Sequence, residues 1–190
     1  SGATILGRAG SGSLTLNSLA NLIASGAGDS LVLATGGNFV NNAGASALSA
    51  PSGRWLVYST APALDTRGGL AYNFKQYAMS YSGTPYAGLG SGNGFIYNVS
   101  PSLTPSLIGT TSKVYDATTT AALNPVSNYT FTGALDGDTI VLSSPATGTY
   151  VDKNAGTGKS VSATVAFTGA SNGSASVYGY QLSSPTATGT

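Results

Sequence analysis

Three groups of side chains in this sequence have the types and spacing to do chemistry. Asp136-Gly137-Asp138, and Asp152 with Asn154, could offer oxygens to calcium. That ion takes roughly six to eight oxygen ligands. No EF-hand loop or Asp-bearing nonapeptide repeat surrounds either group, so both read first as turns. Tyr115 and Asp116, with Lys153, could support a self-formed amide crosslink, which needs an acidic partner in an apolar pocket to move the proton. Lys153 lies in a Gly- and Asn-rich stretch, and a surface ion pair is the plainer reading. Tyr72, Tyr77, Tyr81, Tyr86 and Tyr97 lie among glycines and could stack on the apolar faces of sugars. The plainer reading is that these rings pack hairpins. Gly90-Ser91-Gly92-Asn93-Gly94 follows no clear strand and opens no helix, so it is not a phosphate-binding loop.

The 190 residues include no histidine, no cysteine and no glutamate. A general base poised near neutrality is usually His or a tuned carboxylate, and a tight transition-metal site usually needs His or Cys. A hydrolase would have to work with aspartates alone. The expectation is a protein that is not an enzyme, with no cofactor, no metal and no catalytic residue. Its work would be shape, reach and surface contact.

Charged residues make up 7% of the chain, against about 25% in an average soluble domain. Hydrophobic residues make up 41%, enough for a core, so Ser, Thr, Asn and Gly must cover the surface. β structure tolerates this, because strand faces and turns accept small hydroxyl and amide groups. A net charge of +1 steers the chain towards neither nucleic acid nor an anionic membrane. No apolar run is long enough for a transmembrane helix, and the opening residues do not read as a cleavable signal peptide.

Three regions follow from the pattern. Residues 1–60 alternate apolar strands, Leu14–Leu16, Ser30–Thr35 and Trp55–Ser59, with small-residue turns. Their spacings, roughly 17 and 25 residues, lie within the range of solenoid coils. Leu16, Leu19, Ala20 and Ile23 also fall at helical spacing, but close Gly and Ser flanks favour strand or turn. Residues 61–108 are rich in Tyr and Gly, and stretches such as Gln76–Tyr81 and Gly94–Val99 suggest hairpins. Pro101 to Pro105 reads as an extended linker. Residues 109–190 carry period-2 strand candidates at Lys113–Tyr115, Tyr129–Thr132, Thr139–Leu142, Gly148–Val151, Ser160–Phe167 and Val177–Leu182. Asp136-Gly137-Asp138 gives a hairpin signal between two of them. A small β-sandwich and a β-grasp-like sheet both fit.

The run from Gly36 to Ser59, GGNFVNNAGASALSAPSGRWLVYS, resembles the end of the β-helical shaft in filamentous-haemagglutinin-like adhesins secreted by the two-partner route. The shared elements are Asn38-Phe39-Val40-Asn41, an Ala- and Ser-rich turn from Ala43 to Pro51, and the strand Arg54 to Ser59. From Lys113 onward, KVYDATTTAALN, YTFTGALDGDTIVLSS and GTYVDKNAGTGKSV resemble the YDG repeat family, related to glycine-rich MBG modules. One position departs: Ala117 stands where the family has Gly, which argues against a left-handed backbone there.

The resulting expectation is an all-β chain. Terminal coils of a right-handed parallel β-helix would span 1–60, a β connector or cap 61–108, and a YDG/MBG-like domain 109–190. Trp55 would act as the structural cap, an aromatic plug that stops strand stacking. The resemblance implies a secreted adhesin at the surface of a Gram-negative bacterium, serving as shaft end and stalk module in attachment or biofilm formation. It also implies an outer-membrane transporter partner for the parent protein. A glycan, exopolysaccharide or host-cell surface component is a possible contact, with no nucleic acid and no membrane insertion, and the fragment is expected to be a monomer. The alternative is a carbohydrate-binding module working through the tyrosines of 61–108.

Overall fold

A computed structural model of the chain describes residues 2–190. The fold is all-β. In chain order the strands are β1 (Ile5–Arg8), β2 (Leu14–Leu16), β3 (Leu22–Ile23), β4 (Gly28–Ala34), β5 (Phe39–Asn41), β6 (Leu48–Ser49), β7 (Gly53–Ser59), β8 (Phe74–Gln76), β9 (Gly94–Tyr97), β10 (Ser102–Leu107), β11 (Thr120–Ala122), β12 (Tyr129–Thr132), β13 (Thr139–Leu142), β14 (Thr147–Tyr150), β15 (Val161–Thr164), β16 (Phe167–Asn172), β17 (Ala175–Tyr178), β18 (Gln181–Leu182) and β19 (Thr186–Gly189). The chain divides into two compact units. The first runs to Ser100 and adds Leu135–Asp138 and Ser171–Gly179. The second holds Pro101–Ala134, Thr139–Ala170 and Tyr180–Thr190.

The first unit is a parallel solenoid. β1, β4 and β7 stack in one sheet, with Ile5 opposite Leu31 and Leu31 opposite Trp55. β2 pairs with β5 and β3 with β6, also in parallel, so the first two coils each contribute to three sheets. Coil-to-coil side-chain hydrogen bonds join residues 23 to 26 apart, which is the true repeat. The shorter spacing in the sequence compares Leu14–Leu16 with β4, strands of different sheets. The stretch with helical spacing is the corner between β2 and β3: Leu19 is 97% exposed, with a left-handed φ of 71°.

Strand stacking continues past Trp55. β7 pairs with β9, β9 with β8, and β8 with β17, all in parallel. Trp55 is buried at 2% exposure, with its ring edge-on to Phe95 at 5.2 Å. It therefore lies within a continuing sheet and does not plug its end. The expected hairpins of 61–108 are replaced by parallel strands, which cannot be joined by a tight turn. The central strands β4, β7 and β9 are buried on both faces, so they read as largely unbroken apolar runs. Leu31, Leu33, Trp55, Val57 and Phe95 share one face by register. Val32, Ala34, Leu56, Tyr58 and Ile96 form the other, covered by Met79, Tyr81 and Leu89.

Asn41 fastens the corner after β5. Its Nδ2 donates to the Gly44 carbonyl at 2.8 Å and the Arg67 carbonyl at 3.1 Å, and its Oδ1 accepts from the amides of Ala43 (3.0 Å) and Gly44 (3.2 Å). Gly68, at φ +62°, passes so close that a Cβ there would stand 2.5 Å from Asn41 Nδ2. Only glycine suits both the left-handed backbone and the contact.

In the second unit, β12-β10-β18 form one sheet and β11-β14-β15-β19 another. Ala121, Leu123, Val161 and Ala163 of the second sheet pack with Leu107 and Tyr129 of the first. Two sheets sharing one core favour the sandwich over the β-grasp reading. Several sequence expectations change here. Pro101 to Pro105 is no linker, because Pro101 is buried and Ser102–Leu107 is β10. Pro105 fits because proline is tolerated where a ladder hydrogen bond is not required. Lys113–Tyr115 forms no strand. Asp136 and Gly137 have φ of 54° and 68°, the signs of a tight type I′-like turn. The strands that flank the turn, β12 and β13, belong to different sheets, so it closes no hairpin.

Candidate functional site

The YDG-like segment in the second unit builds an open recess of about 420 Å³, lined by Thr111, Lys113, Tyr115, Tyr150, Lys153 and Lys159 among others. The Lys113 ammonium donates to Asp116 Oδ1 (2.7 Å), the Thr118 carbonyl (2.7 Å) and Thr118 Oγ1 (2.8 Å), and lies over the Tyr150 ring. Asp116 Oδ1 also accepts from the Thr118 amide at 2.9 Å. The Lys113 hydrogen bond, followed by those from Thr118, holds the Asp116 carboxyl down to about 2. Lys159 bonds Asp152 at 2.6 Å and holds its carboxyl below the usual range. The Asp116 ion pair therefore goes to Lys113, not to Lys153.

Ala117 has a φ of 61°. The backbone is therefore left-handed there, against the expectation drawn from the alanine. A non-glycine residue there costs roughly 1–2 kcal/mol. Ala117→Gly is therefore expected to raise the stability of the second unit by about 1 kcal/mol. An unchanged urea midpoint would show that the turn carries no strain.

The five tyrosines proposed to face a glycan do not form one face. Tyr77 and Tyr97 are fully buried and stacked at 5.6 Å, which removes them from any ligand surface. Desolvation pushes the Tyr97 hydroxyl well above its ordinary pKa. Tyr72 packs edge-on to Phe95 and donates to Asn172. Tyr81 packs edge-on to Tyr58, whose own hydroxyl is pushed up to about 12 by burial. Tyr86 alone of the five is exposed. Most of these rings are used in packing, against parallel strands and not against hairpins.

The chain's most unusual cluster lies inside the first unit. Lys75 sits on β8, in register with Phe95 on one side and Val177 on the other. Strand alternation sends Phe74 and Gln76 to the opposite face and Lys75 inward. The side chains of Lys75 and Asp138 are both 0% exposed and in direct contact. Lys75 Nζ is also 2.6 Å from Asp136 Oδ2, and Arg67 holds Asp136 Oδ1 at 2.7 Å. The Tyr77 hydroxyl donates to Asp138 Oδ2 at 2.8 Å. Asn172 Nδ2 donates to Asp138 Oδ1 and to the Asp136 carbonyl, both at 2.9 Å. Burial acts to raise the Asp136 pKa, but hydrogen bonds from Lys75 and Arg67 outweigh it and hold the carboxyl below the usual range. Asp136 and Asp138 thus face cations of the chain itself, and the oxygens considered for calcium are already engaged. Among the described residues no group of three or more acidic side chains stands together as a metal site.

Sequence reading placed Asp136 and Asp138 in a turn and missed Lys75. One signal was available: in a chain with only seven Lys and Arg, Lys75 lies between Phe74 and Tyr77 in the run Asn73-Phe74-Lys75-Gln76-Tyr77. An isolated charge within a strand must be paired if it is buried.

Residues 100–187 match the YDG domain family. The chain thus carries a YDG-type domain over that stretch, and Lys113, Asp116 and Thr118 form its opening turn. No curated protein and no solved structure is found to match. No helix among the described residues is long and apolar enough to cross a membrane.

Proposed function

We propose that this chain is a non-catalytic segment of a secreted bacterial surface adhesin, in which a solenoid shaft passes into a YDG-type stalk module. The observation that carries the reading is the parallel coil stack, with side-chain bonds 23 to 26 residues apart, in the same chain as the YDG match. Stacked coils bury a continuous core while extending in one direction, which suits a structure that holds binding regions away from a cell. A surface poor in charge and rich in hydroxyl and amide groups suits the same task. In this reading the parent is a filamentous-haemagglutinin-like protein exported through an outer-membrane transporter, and the segment supports attachment or biofilm formation.

The test labels intact cells of the producing bacterium with antibodies raised against residues 2–60. Labelling at the cell surface is expected, and signal that appears only after lysis would overturn the proposal. A glycan array probed with the purified chain separates spacer from binder. No saturable binding is expected. Saturable binding lost in Tyr86→Ala would replace the stalk role with direct carbohydrate recognition.

A further inference from the structure

We propose that Lys75 and Asp138 join in an intramolecular isopeptide bond that locks β8 to the Leu135–Asp138 turn. The inference stands on the buried cluster alone and is independent of the adhesin reading.

Each part of the reaction has a residue in place. The nucleophile is Lys75 Nζ, fully buried and in direct contact with the electrophilic carboxyl of Asp138. The two oxygens of that carboxyl are polarised by separate donors, the Tyr77 hydroxyl at Oδ2 and the Asn172 amide at Oδ1, at 2.8 and 2.9 Å. A second carboxylate, Asp136 Oδ2, stands 2.6 Å from the same nitrogen and is oriented from its far side by Arg67. A site closed to water narrows the gap between an ionic pair and its neutral amine–acid form. Holding the reacting groups together removes much of the entropic barrier.

The step balances without any further reactant. The Lys75 ammonium passes one proton to Asp138 Oδ1, giving a neutral amine and a carboxylic acid. The nitrogen lone pair forms a bond to Asp138 Cγ, and the negative charge gathers on Oδ2 under the Tyr77 hydroxyl. Asp136 takes the second proton from nitrogen and returns it to the Oδ1 hydroxyl. The C–O bond breaks and water leaves. Ammonium and carboxylate have become one amide and one water, and Asp136 is regenerated. The bond closes a loop between residues 63 positions apart, so unfolding would retain a covalent tie across the unit.

Intact-mass and tandem mass spectrometry of the purified full chain test the proposal. The chain is expected to weigh less than its sequence by one water. Its protease digest should contain a branched peptide joining Lys75 to Asp138, with no tryptic cleavage after Lys75. Lys75→Arg and Asp138→Ala should restore the full mass, and Asp136→Asn should slow or abolish the loss. The wild-type measurement decides the matter even if a variant fails to fold. The full sequence mass would overturn the proposal and leave an ion pair only. Loss of one ammonia with a branch to Asn172 would also overturn it. So would loss of water without the branched peptide, as a succinimide at Asp136-Gly137 would give.

Discussion

Trp55→Ala will destabilise the first unit by about 3–5 kcal/mol, the range for removing a large aromatic side chain from a core that cannot collapse. The ring is 2% exposed, meets Phe95 edge-on at 5.2 Å, and lies in register with Leu31 on the neighbouring strand. Strands on both sides of β7 are fixed by their own ladders, with Leu31 to Ala34 on one side and Gly94 to Tyr97 on the other. The backbone therefore has little freedom to close over the cavity. Because Trp55 is the only tryptophan, urea unfolding of the variant must be followed by circular dichroism. In the parent chain the same indole should emit as a buried ring and resist iodide quenching. A loss below about 1 kcal/mol would mean that the site collapses after all.

Asn41→Ala should produce the next largest effect, about 3–4 kcal/mol. Four hydrogen bonds converge on this side chain, and each such bond contributes about 1 kcal/mol net. Asn41 is 2% exposed, so alanine would leave the Ala43 and Gly44 amides without an acceptor, while the Gly44 and Arg67 carbonyls would keep only the Ala47 and Leu70 amides. Repacking offers little relief, because Gly68 already presses against the amide. Urea denaturation measures the loss. Loss of protection at the Ala43 and Gly44 amides in hydrogen exchange would localise it. If Asn41→Ala unfolds at the parent's urea concentration, the side chain does not carry the corner.

The buried Lys75 cluster adds a different kind of restraint. Packing and hydrogen bonding hold the solenoid through terms spread over many residues. A buried lysine against two aspartates is all or none, since removing one partner leaves an uncompensated charge. An amide between Lys75 and Asp138 would remove that liability by abolishing both charges. Mass spectrometry is therefore the first measurement to make on this protein.

The positions of many strands are set locally, and local features are legible in one dimension. Apolar runs such as Leu31-Val32-Leu33-Ala34 and Trp55-Leu56-Val57-Tyr58, bounded by small-residue turns, mark strands because a sheet buried on both faces demands unbroken apolar sequence. The Asn38-Phe39-Val40-Asn41 run marks a coil of the shaft and supplies β5, and the YDG-like strings mark residues 109–190, within the stretch 100–187 that matches the YDG family. The lack of His, Cys and Glu argues against catalysis from composition alone. Partner choice is what sequence could not express. A strand's pattern states that it is buried, but not whether its neighbour is the next strand in the chain or one far along it. Hence Gly94–Val99, whose pattern suggests a hairpin, instead supplies β9 as a parallel neighbour of β8, and β17 joins them from within residues 109–190. The same long-range pairing created the Lys75 site. A lysine on β8, two aspartates from a turn some 60 residues on, and Asn172 beyond that share no local signal. Only tertiary packing could close a water-free space around them, and that exclusion of water turns ordinary surface residue types into groups able to react.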